Sequence, residues 1–198
     1  MPVGEPTAGF LVVWEILSRI VAGHARHKRD VLDRIVEPAY RELRQVHEDY
    51  KAGFLEARDK IRNGILDEDL LKFLQDRRLV MEAQRREMEA WAGTDLPERI
   101  FPRQSRETFL MRSFYSAILA YFGLSSSYAG WSFYSDIIQN IEATLNLGTK
   151  QDPNDVFLDA ETREAVLKEV DALLQGRLEN AMRKVTVQYT LLKSQLSA

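Results

Sequence analysis

A run of small and apolar residues between positions 32 and 57 constrains the fold of this chain more than any other feature. Its members are spaced alternately four and three residues apart, and they are Leu32, Val36, Ala39, Leu43, Val46, Tyr50, Gly53 and Ala57. This spacing places one stripe of a helix against a neighbouring helix, as in a coiled coil or a helical bundle. Pro38 lies inside the run and predicts a kink, because proline removes a backbone donor and crowds the preceding turn.

The sequence predicts where the first long helix ends and where a second helix begins and ends. Asn63-Gly64 predicts the end of the first long helix. Asp67 is placed to cap a second helix that runs to Trp91, with Leu66 and Leu71 spaced as a hydrophobic staple around it. Residues 94–104 contain two prolines and predict a loop.

Three more helices are predicted in the second half of the chain. Ser105 can cap a helix to Phe122, and Ser125–Ser127 offers the cap of another that ends at Gly148. A final long helix is predicted over about 160–195. Its apolar face comprises Val166, Leu167, Val170, Leu173, Leu174, Leu178, Ala181, Val185 and Leu192.

The N-terminal region carries a separate amphipathic pattern. After a proline-containing arm over residues 1–7, residues 8–22 predict a helix. One face holds Phe10, Val13, Trp14, Leu17, Ile20 and Val21, and His24 continues this face beyond the helix. A basic stretch over 24–29 follows and is predicted to be a solvated turn. We therefore expect an N-terminal arm with a basic end over residues 1–30 and a bundle domain over 31–198.

The fold class predicted from these segments is all-α, an antiparallel bundle of about five helices. At its centre we expect a helical hairpin, because residues 113–135 contain no charged side chain. The span 101–134 also holds Phe101, Phe109, Phe114, Tyr115, Tyr121, Phe122, Tyr128, Trp131, Phe133 and Tyr134. A core hairpin is the leading interpretation. A self-association surface and shallow insertion into a membrane are the alternatives, since Gly123 and the serines break any spanning run.

The overall charge and the absence of cysteine exclude several classes of function. Lysine and arginine number 27 against 30 acidic residues, a net charge of −3, which argues against a protein that coats nucleic acid. With no cysteine, the chain has no disulfide, no thiol nucleophile and no cysteine-ligated metal. These features favour a cytoplasmic location, with the inner membrane surface as the alternative.

No local motif predicts a catalytic, cofactor or metal site. His24 and His27 could face one metal ion, but two ligands surrounded by basic side chains do not make a site. His47-Glu48 begins like a zinc-protease motif, yet Lys51 stands where its second histidine belongs. The arginines at 77–78 and 85–86 alternate with acidic residues, which is typical of a salt-bridged helix surface.

The remaining candidates form an interaction surface rather than an active site. They are Trp14, His24, Arg26, His27, Lys28, Arg29, Tyr128, Trp131 and Tyr134. The leading hypothesis is a non-enzymatic helical interaction or scaffold protein that self-associates into a homo-oligomer or binds a protein partner. A peripheral membrane protein anchored through residues 8–29 is the first alternative. An enzyme with an unrecognised site in the bundle interior is the second.

Overall fold

The computed structural model describes residues 28–65, 67–92, 96–122, 133–148 and 160–197, and within them the protein is all-α. We number the helices of these residues α1 to α6. Helix α1 is continuous through Lys28–Val31, Leu32–Val36 and Glu37–Arg62, and α6 through Ala160–Ala172, Leu173–Leu178 and Glu179–Ser197. Between them lie α2 (Glu68–Ala92), α3 (Leu96–Ile100), α4 (Arg106–Tyr121) and α5 (Phe133–Gly148). The predicted all-α bundle is confirmed.

Helices α1 and α6 pack together along their length and form the spine of the bundle. At about 1.5 Å per residue each spans roughly 50 Å or more. A series of polar contacts joins them. Near one end, Lys193 Nζ donates to Glu37 Oε1 over 2.7 Å, and the Tyr40 hydroxyl lies 3.1 Å from that of Thr186. Further along, Lys51 Nζ lies 2.8 Å from Glu179 Oε1, and Arg58 Nη1 lies 3.5 Å from Asp171 Oδ1. The Tyr40 and Tyr189 rings stack with centroids 3.8 Å apart.

Two predicted helix caps are present and explain where α2 and α4 begin. The Leu70 amide donates to Asp67 Oδ1 over 2.9 Å, and the Thr108 amide donates to Ser105 Oγ over 3.1 Å. Each bond satisfies a backbone donor that the first helical turn leaves without a partner. These boundaries are therefore set by local chemistry.

Both spine helices contain a π-helical segment that the sequence did not predict. In α1 it covers Leu32–Val36 and ends two residues before Pro38, and the Glu37 amide donates to the Leu32 carbonyl five residues back. Because proline cannot donate a hydrogen bond to an earlier carbonyl, a widened turn at this point accommodates its ring and the helix continues. In α6 the π segment covers Leu173–Leu178.

Two predictions about connecting segments were wrong in part. The loop expected over 94–104 contains the short helix α3, whose Leu96 and Pro97 are buried, because proline is tolerated in the first turn of a helix. The solvated basic turn expected over 24–29 is wrong for Lys28 and Arg29, which begin α1. Residues 1–27, Leu66 and 123–132 lie outside the described residues, so the N-terminal helix and the Ser125–Ser127 cap stay predictions.

The heptad-like stripe of α1 faces the protein's own core. All eight predicted positions are buried, and Leu43 has no exposed surface. Their neighbours include the apolar face of α6, where Val166, Val170, Leu173, Leu174, Leu178, Val185 and Leu192 are buried and Leu167 and Ala181 are partly buried. The stripe therefore stabilises the monomer, and a charge at Leu43 would unfold the bundle.

Helices α4 and α5, which flank the centre of the uncharged span 113–135, pack against different partners. Helix α4 lies on the C-terminal part of α6, while α5 lies on α2 and on the N-terminal part of α6. Six of the ten aromatic side chains predicted for this region are buried: Phe114, Tyr115, Tyr121, Phe122, Phe133 and Tyr134. The core interpretation is thus confirmed for these six. It is wrong for Phe109, which is 68% exposed because α4 lies at the edge of the bundle.

An aromatic cluster joins α1 to the end of α4 and the start of α5. The Tyr50 ring lies 6.3 Å from that of Tyr121, 5.5 Å from that of Phe133 and 5.3 Å from that of Tyr134, measured between centroids. Tyr134 reaches the backbone of α1 at Gly53, where an added Cβ would collide with its hydroxyl group. Glycine is needed here because of this close approach, at a position where α1 would otherwise favour alanine.

We predict that Gly53→Ala destabilises the protein by about 1–3 kcal/mol, because overpacking a rigid core costs more than the gain in helix propensity. The matched control is Gly176→Ala, since an added Cβ meets no atom within 4 Å at Gly176. The control should be neutral or stabilise by up to about 1 kcal/mol. Urea unfolding followed by circular dichroism measures both. Equal effects of the two substitutions would show that Tyr134 does not pack as described.

The Tyr134 hydroxyl provides an independent check of this packing. It is buried and has no hydrogen-bond partner among the described residues. Removing a buried hydroxyl that lacks a partner avoids its desolvation cost. Tyr134→Phe should therefore be neutral or raise the urea midpoint, and it should recover part of the loss in Gly53→Ala when the two are combined. A Tyr134→Phe protein that loses about 1 kcal/mol or more would contradict this.

Candidate functional site

Two features of the described residues have the chemistry or shape of a functional site, and the first is a buried polar cluster around His47. Its imidazole is 4% exposed. His47 Nδ1 lies 3.2 Å from the Tyr121 hydroxyl, and Nε2 lies 3.7 Å from Glu179 Oε1. Lys51 binds the same carboxylate oxygen at 2.8 Å. The cluster thus links α1, α4 and α6 at one level of the bundle.

The environment of each group sets its protonation. Burial lowers the pKa of His47 below its ordinary value of 6.5, and the nearby Glu179 carboxylate only partly opposes this shift. The hydrogen bond from Lys51 lowers the pKa of Glu179. Burial raises the pKa of Tyr121 well above its usual range. At neutral pH the cluster therefore contains a neutral imidazole, a neutral phenol and a Lys–Glu ion pair.

This geometry serves packing better than catalysis. Both ring nitrogens of His47 face protein side chains, and the ring is almost fully buried. A general base must reach the proton that it removes from a substrate, either directly or through one water. The His47 cluster is accordingly a polar element of the core that holds three helices in register.

The second feature is a surface groove between α4 and α6 with a volume of about 470 Å³. Small side chains of α4 form one wall, namely Ser113, Ser116, Ala117 and Ala120, and Ala181, Arg183, Lys184, Val187 and Gln188 of α6 form the other. Tyr121 closes one end and connects the groove to the His47 cluster. Small residues allow another helix to approach the backbones closely, as in tightly packed helix pairs.

Exposed apolar side chains extend the groove at its other end. Phe109 lies one helical turn before Ser113, and Leu191 lies one turn after Val187. Phe109 is 68% exposed, Val187 50% and Leu191 48%. Single exposed apolar residues are ordinary, but a contiguous set along a concave surface is typical of an interaction site.

The groove faces away from α1. Along the part of α6 that borders the groove, Tyr189, Thr186 and Lys193 contact α1. These positions lie on the opposite side of the helix from Lys184, Val187 and Leu191 at 100° per residue. The α4–α6 layer therefore has α1 on one face and the groove on the other.

Only three of the nine predicted surface residues fall within the described part of the chain. Trp14, His24, Arg26, His27, Tyr128 and Trp131 lie outside it. Tyr134 belongs to the core, since it has no exposed surface, and this corrects its assignment to an interaction surface. Its aromatic ring buries a large area that the sequence pattern alone could not assign to a face.

The two basic residues are involved in local ion pairs. Lys28 Nζ lies 3.0 Å from Glu107 Oε1, and Arg29 Nε lies 3.6 Å from Asp33 Oδ2 one turn along the helix. Hydrogen bonds from Gln195 and the backbone, together with the Lys28 ammonium, lower the pKa of Glu107 to about 2. Lys28 thus fastens the start of α1 to α4 and α6.

The sequence analysis identifies neither feature by itself. It considers His47 only in a metal-binding motif, and among the described residues no group of three or more potential ligands could hold a metal ion. The stripe of small residues on α4 lies in the segment 113–135, for which the sequence predicts a core hairpin, with a self-association surface as an alternative. Its spacing, Ser113, Ser116, Ala117 and Ala120, is a helical signal that could have indicated a groove.

Comparison with protein-family models, with curated proteins and with solved structures finds no match to this chain. Within the described ranges, no helix combines the length and the hydrophobicity that crossing a bilayer requires. The function must therefore be argued from the groove and the His47 cluster themselves.

We predict that His47 makes stability depend on pH between about 7.5 and 5.5, because unfolded histidine titrates near 6.5. In the folded state His47 has a lowered pKa and resists protonation, whereas in the unfolded state it takes up a proton as the pH falls below about 6.5. Protonation therefore favours the unfolded state, and the urea midpoint decreases as the pH falls. His47→Gln should flatten this slope, while a His24→Gln/His27→Gln variant should keep it. If the urea midpoint of His47→Gln kept the pH dependence of the wild-type protein, another group would be responsible for that dependence.

Other titrating groups do not obscure this comparison. The pKa values of Glu37, Glu82, Glu107 and Glu179 are lowered, so these carboxylates lose their stabilising effect at a pH below this window. Burial raises the pKa of Asp49, so protonation of this carboxyl stabilises the folded state as the pH falls, opposite to the effect of His47. Asp49 is present in every variant, so its contribution cancels.

Proposed function

We propose that this protein is a non-enzymatic helical interaction protein that self-associates through the groove between α4 and α6. The observation that carries the proposal is the coincidence of a concave surface lined by small residues with the exposed apolar side chains of Phe109, Val187 and Leu191. Interface cores are enriched in aromatic and apolar residues and depleted in acidic ones. The lining of the groove contains no acidic side chain.

The heptad-like stripe of α1 does not support self-association, since it packs inside the monomer. Support comes instead from the shape of the groove. A symmetric dimer presents the same surface on both copies, so the groove of each copy can be filled by an apolar element of the other. Phe109 is exposed beside one end of the groove, and the α4 alanines and serines border the recess.

We predict that the wild-type protein is an oligomer at tens of micromolar and that Phe109→Glu shifts it towards monomer. A charge in the buried centre of an interface typically weakens association by at least about 2 kcal/mol, roughly thirtyfold. Light scattering after size exclusion, in buffer without detergent, measures the molar mass. A wild-type protein that elutes as a sharp monomer at these concentrations would end the proposal.

The matched control is Leu79→Glu on α2. Leu79 is 70% exposed, close to the 68% of Phe109, but it does not lie beside the groove. At a concentration where the wild-type protein is monomeric, both variants should keep its urea midpoint, because neither side chain is buried in the monomer. At tens of micromolar Phe109→Glu should also lose the stabilisation that association supplies. Dissociation by Leu79→Glu, with Phe109→Glu unchanged, would place the interface on α2 instead.

A further inference from the structure

We infer that the helix seated in each α4–α6 groove is residues 8–22 of a second copy of this chain, exchanged reciprocally between two molecules. The inference rests on the proposed self-association and names the segment that mediates it. The evidence for it is the match in length and apolar pattern between this segment and the groove, together with the point at which the chain enters α1.

The segment and the groove have matching lengths and complementary surfaces. From Phe109 to Ala120 the α4 wall extends roughly 16 Å, and the apolar face from Phe10 to Val21 has the same length, at about 1.5 Å per helical residue. Trp14 lies near the middle of that face, where the recess bordered by Ser113, Ser116 and Ala117 accepts a large ring. Small-to-large complementarity of this kind is typical of well-packed helix interfaces.

The charges do not oppose docking. The groove lining carries two cations, Arg183 and Lys184, and no acidic residue. Residues 8–22 carry one acidic and one basic side chain, Glu15 and Arg19, so the segment has no net charge that would be repelled by the groove.

Helix α1 begins close to one end of the groove, but it lies on the opposite face of the α4–α6 layer from the groove. Lys28 pairs with Glu107, which also accepts a hydrogen bond from Gln195 over 3.0 Å, so α1 starts beside the beginning of α4 and the end of α6. Helices pack at interaxial distances of about 8–10 Å, so a segment docked in the groove lies roughly 16–20 Å from the α1 axis.

The connection from Ala22 to Lys28 makes docking within one molecule unfavourable. Its six Cα–Cα steps reach at most roughly 20–22 Å when fully extended. Folding back onto its own groove would therefore require an almost straight connection around the end of the layer. The same contacts form without that constraint when the segment enters the groove of a second copy, which is the usual origin of domain exchange.

Cysteine pairs can identify the two chains that meet, because the protein has no native cysteine. A tagged Leu17→Cys protein is mixed with an untagged Ala117→Cys protein, refolded together from urea and oxidised. We expect a disulfide-linked heterodimer of tagged and untagged chains on a non-reducing gel, lost on reduction. The control replaces Ala117→Cys with Asp59→Cys, an exposed site on α1 away from the groove, and should give at least tenfold less heterodimer.

The alternative outcomes are distinguishable. A double Leu17→Cys/Ala117→Cys chain that forms only a disulfide within one monomer would overturn exchange. Absence of any disulfide in a protein that light scattering still shows to be a dimer would overturn the role of residues 8–22, while self-association through the groove would stand. A wild-type monomer would overturn the proposed function and the exchange together.

Fluorescence gives a second readout that needs no disulfide. In a Trp91→Phe/Trp131→Phe background, Trp14 is the remaining tryptophan. Val187→Glu should move its emission to longer wavelength by exposing the indole to water. Val80→Glu should leave it unchanged, and this control is matched because both valines are 50% exposed and Val80 lies on α2. An emission maximum of exposed tryptophan in the parent protein would contradict the inference.

Discussion

The arrangement of the described helices depends on the contact between Tyr134 and the backbone of α1 at Gly53. Two long helices that pack along their length would form a stable pair, but a third helix must be held at a defined level. The aromatic ring of Tyr134 enters the space that a side chain at position 53 would fill. Tyr50, Phe133 and Tyr121 pack around this contact, so α4 and α5 are positioned by one shared cluster.

Polar side chains beside the aromatic cluster keep the helices in register. Burying one of them without a partner would cost free energy, so the helices must align in a way that preserves their mutual contacts. His47, Tyr121, Glu179 and Lys51 contact one another across three helices, whereas the aromatic rings alone could slide by a fraction of a turn. This requirement accounts for a histidine in the core of the bundle. It also explains why Tyr121 is shared between the core and the end of the groove.

Helix α4 contacts the rest of the protein through one of its faces, so its opposite face is exposed to solvent. Its small residues face solvent beside the apolar side chains of α6, and the resulting groove is the surface on which the proposed self-association depends. An N-terminal amphipathic segment that enters the fold at the same end of the layer has the length and pattern to fill it. Stability and interaction are thus assigned to opposite faces of the same pair of helices.

Local chemistry in the sequence determined the helices, their caps at Asp67 and Ser105, and the buried stripe of α1, because hydrophobic period and capping act over a few residues. Three features were decided only by the tertiary structure: the π segments, the burial of Tyr134 and the exposure of Phe109. From Ser113 to Tyr121, α4 has no charged side chain that would mark its solvent-facing side, so its pattern cannot tell which side meets the core. The neighbours of α4 decide that side, and they come from residues far away in the chain.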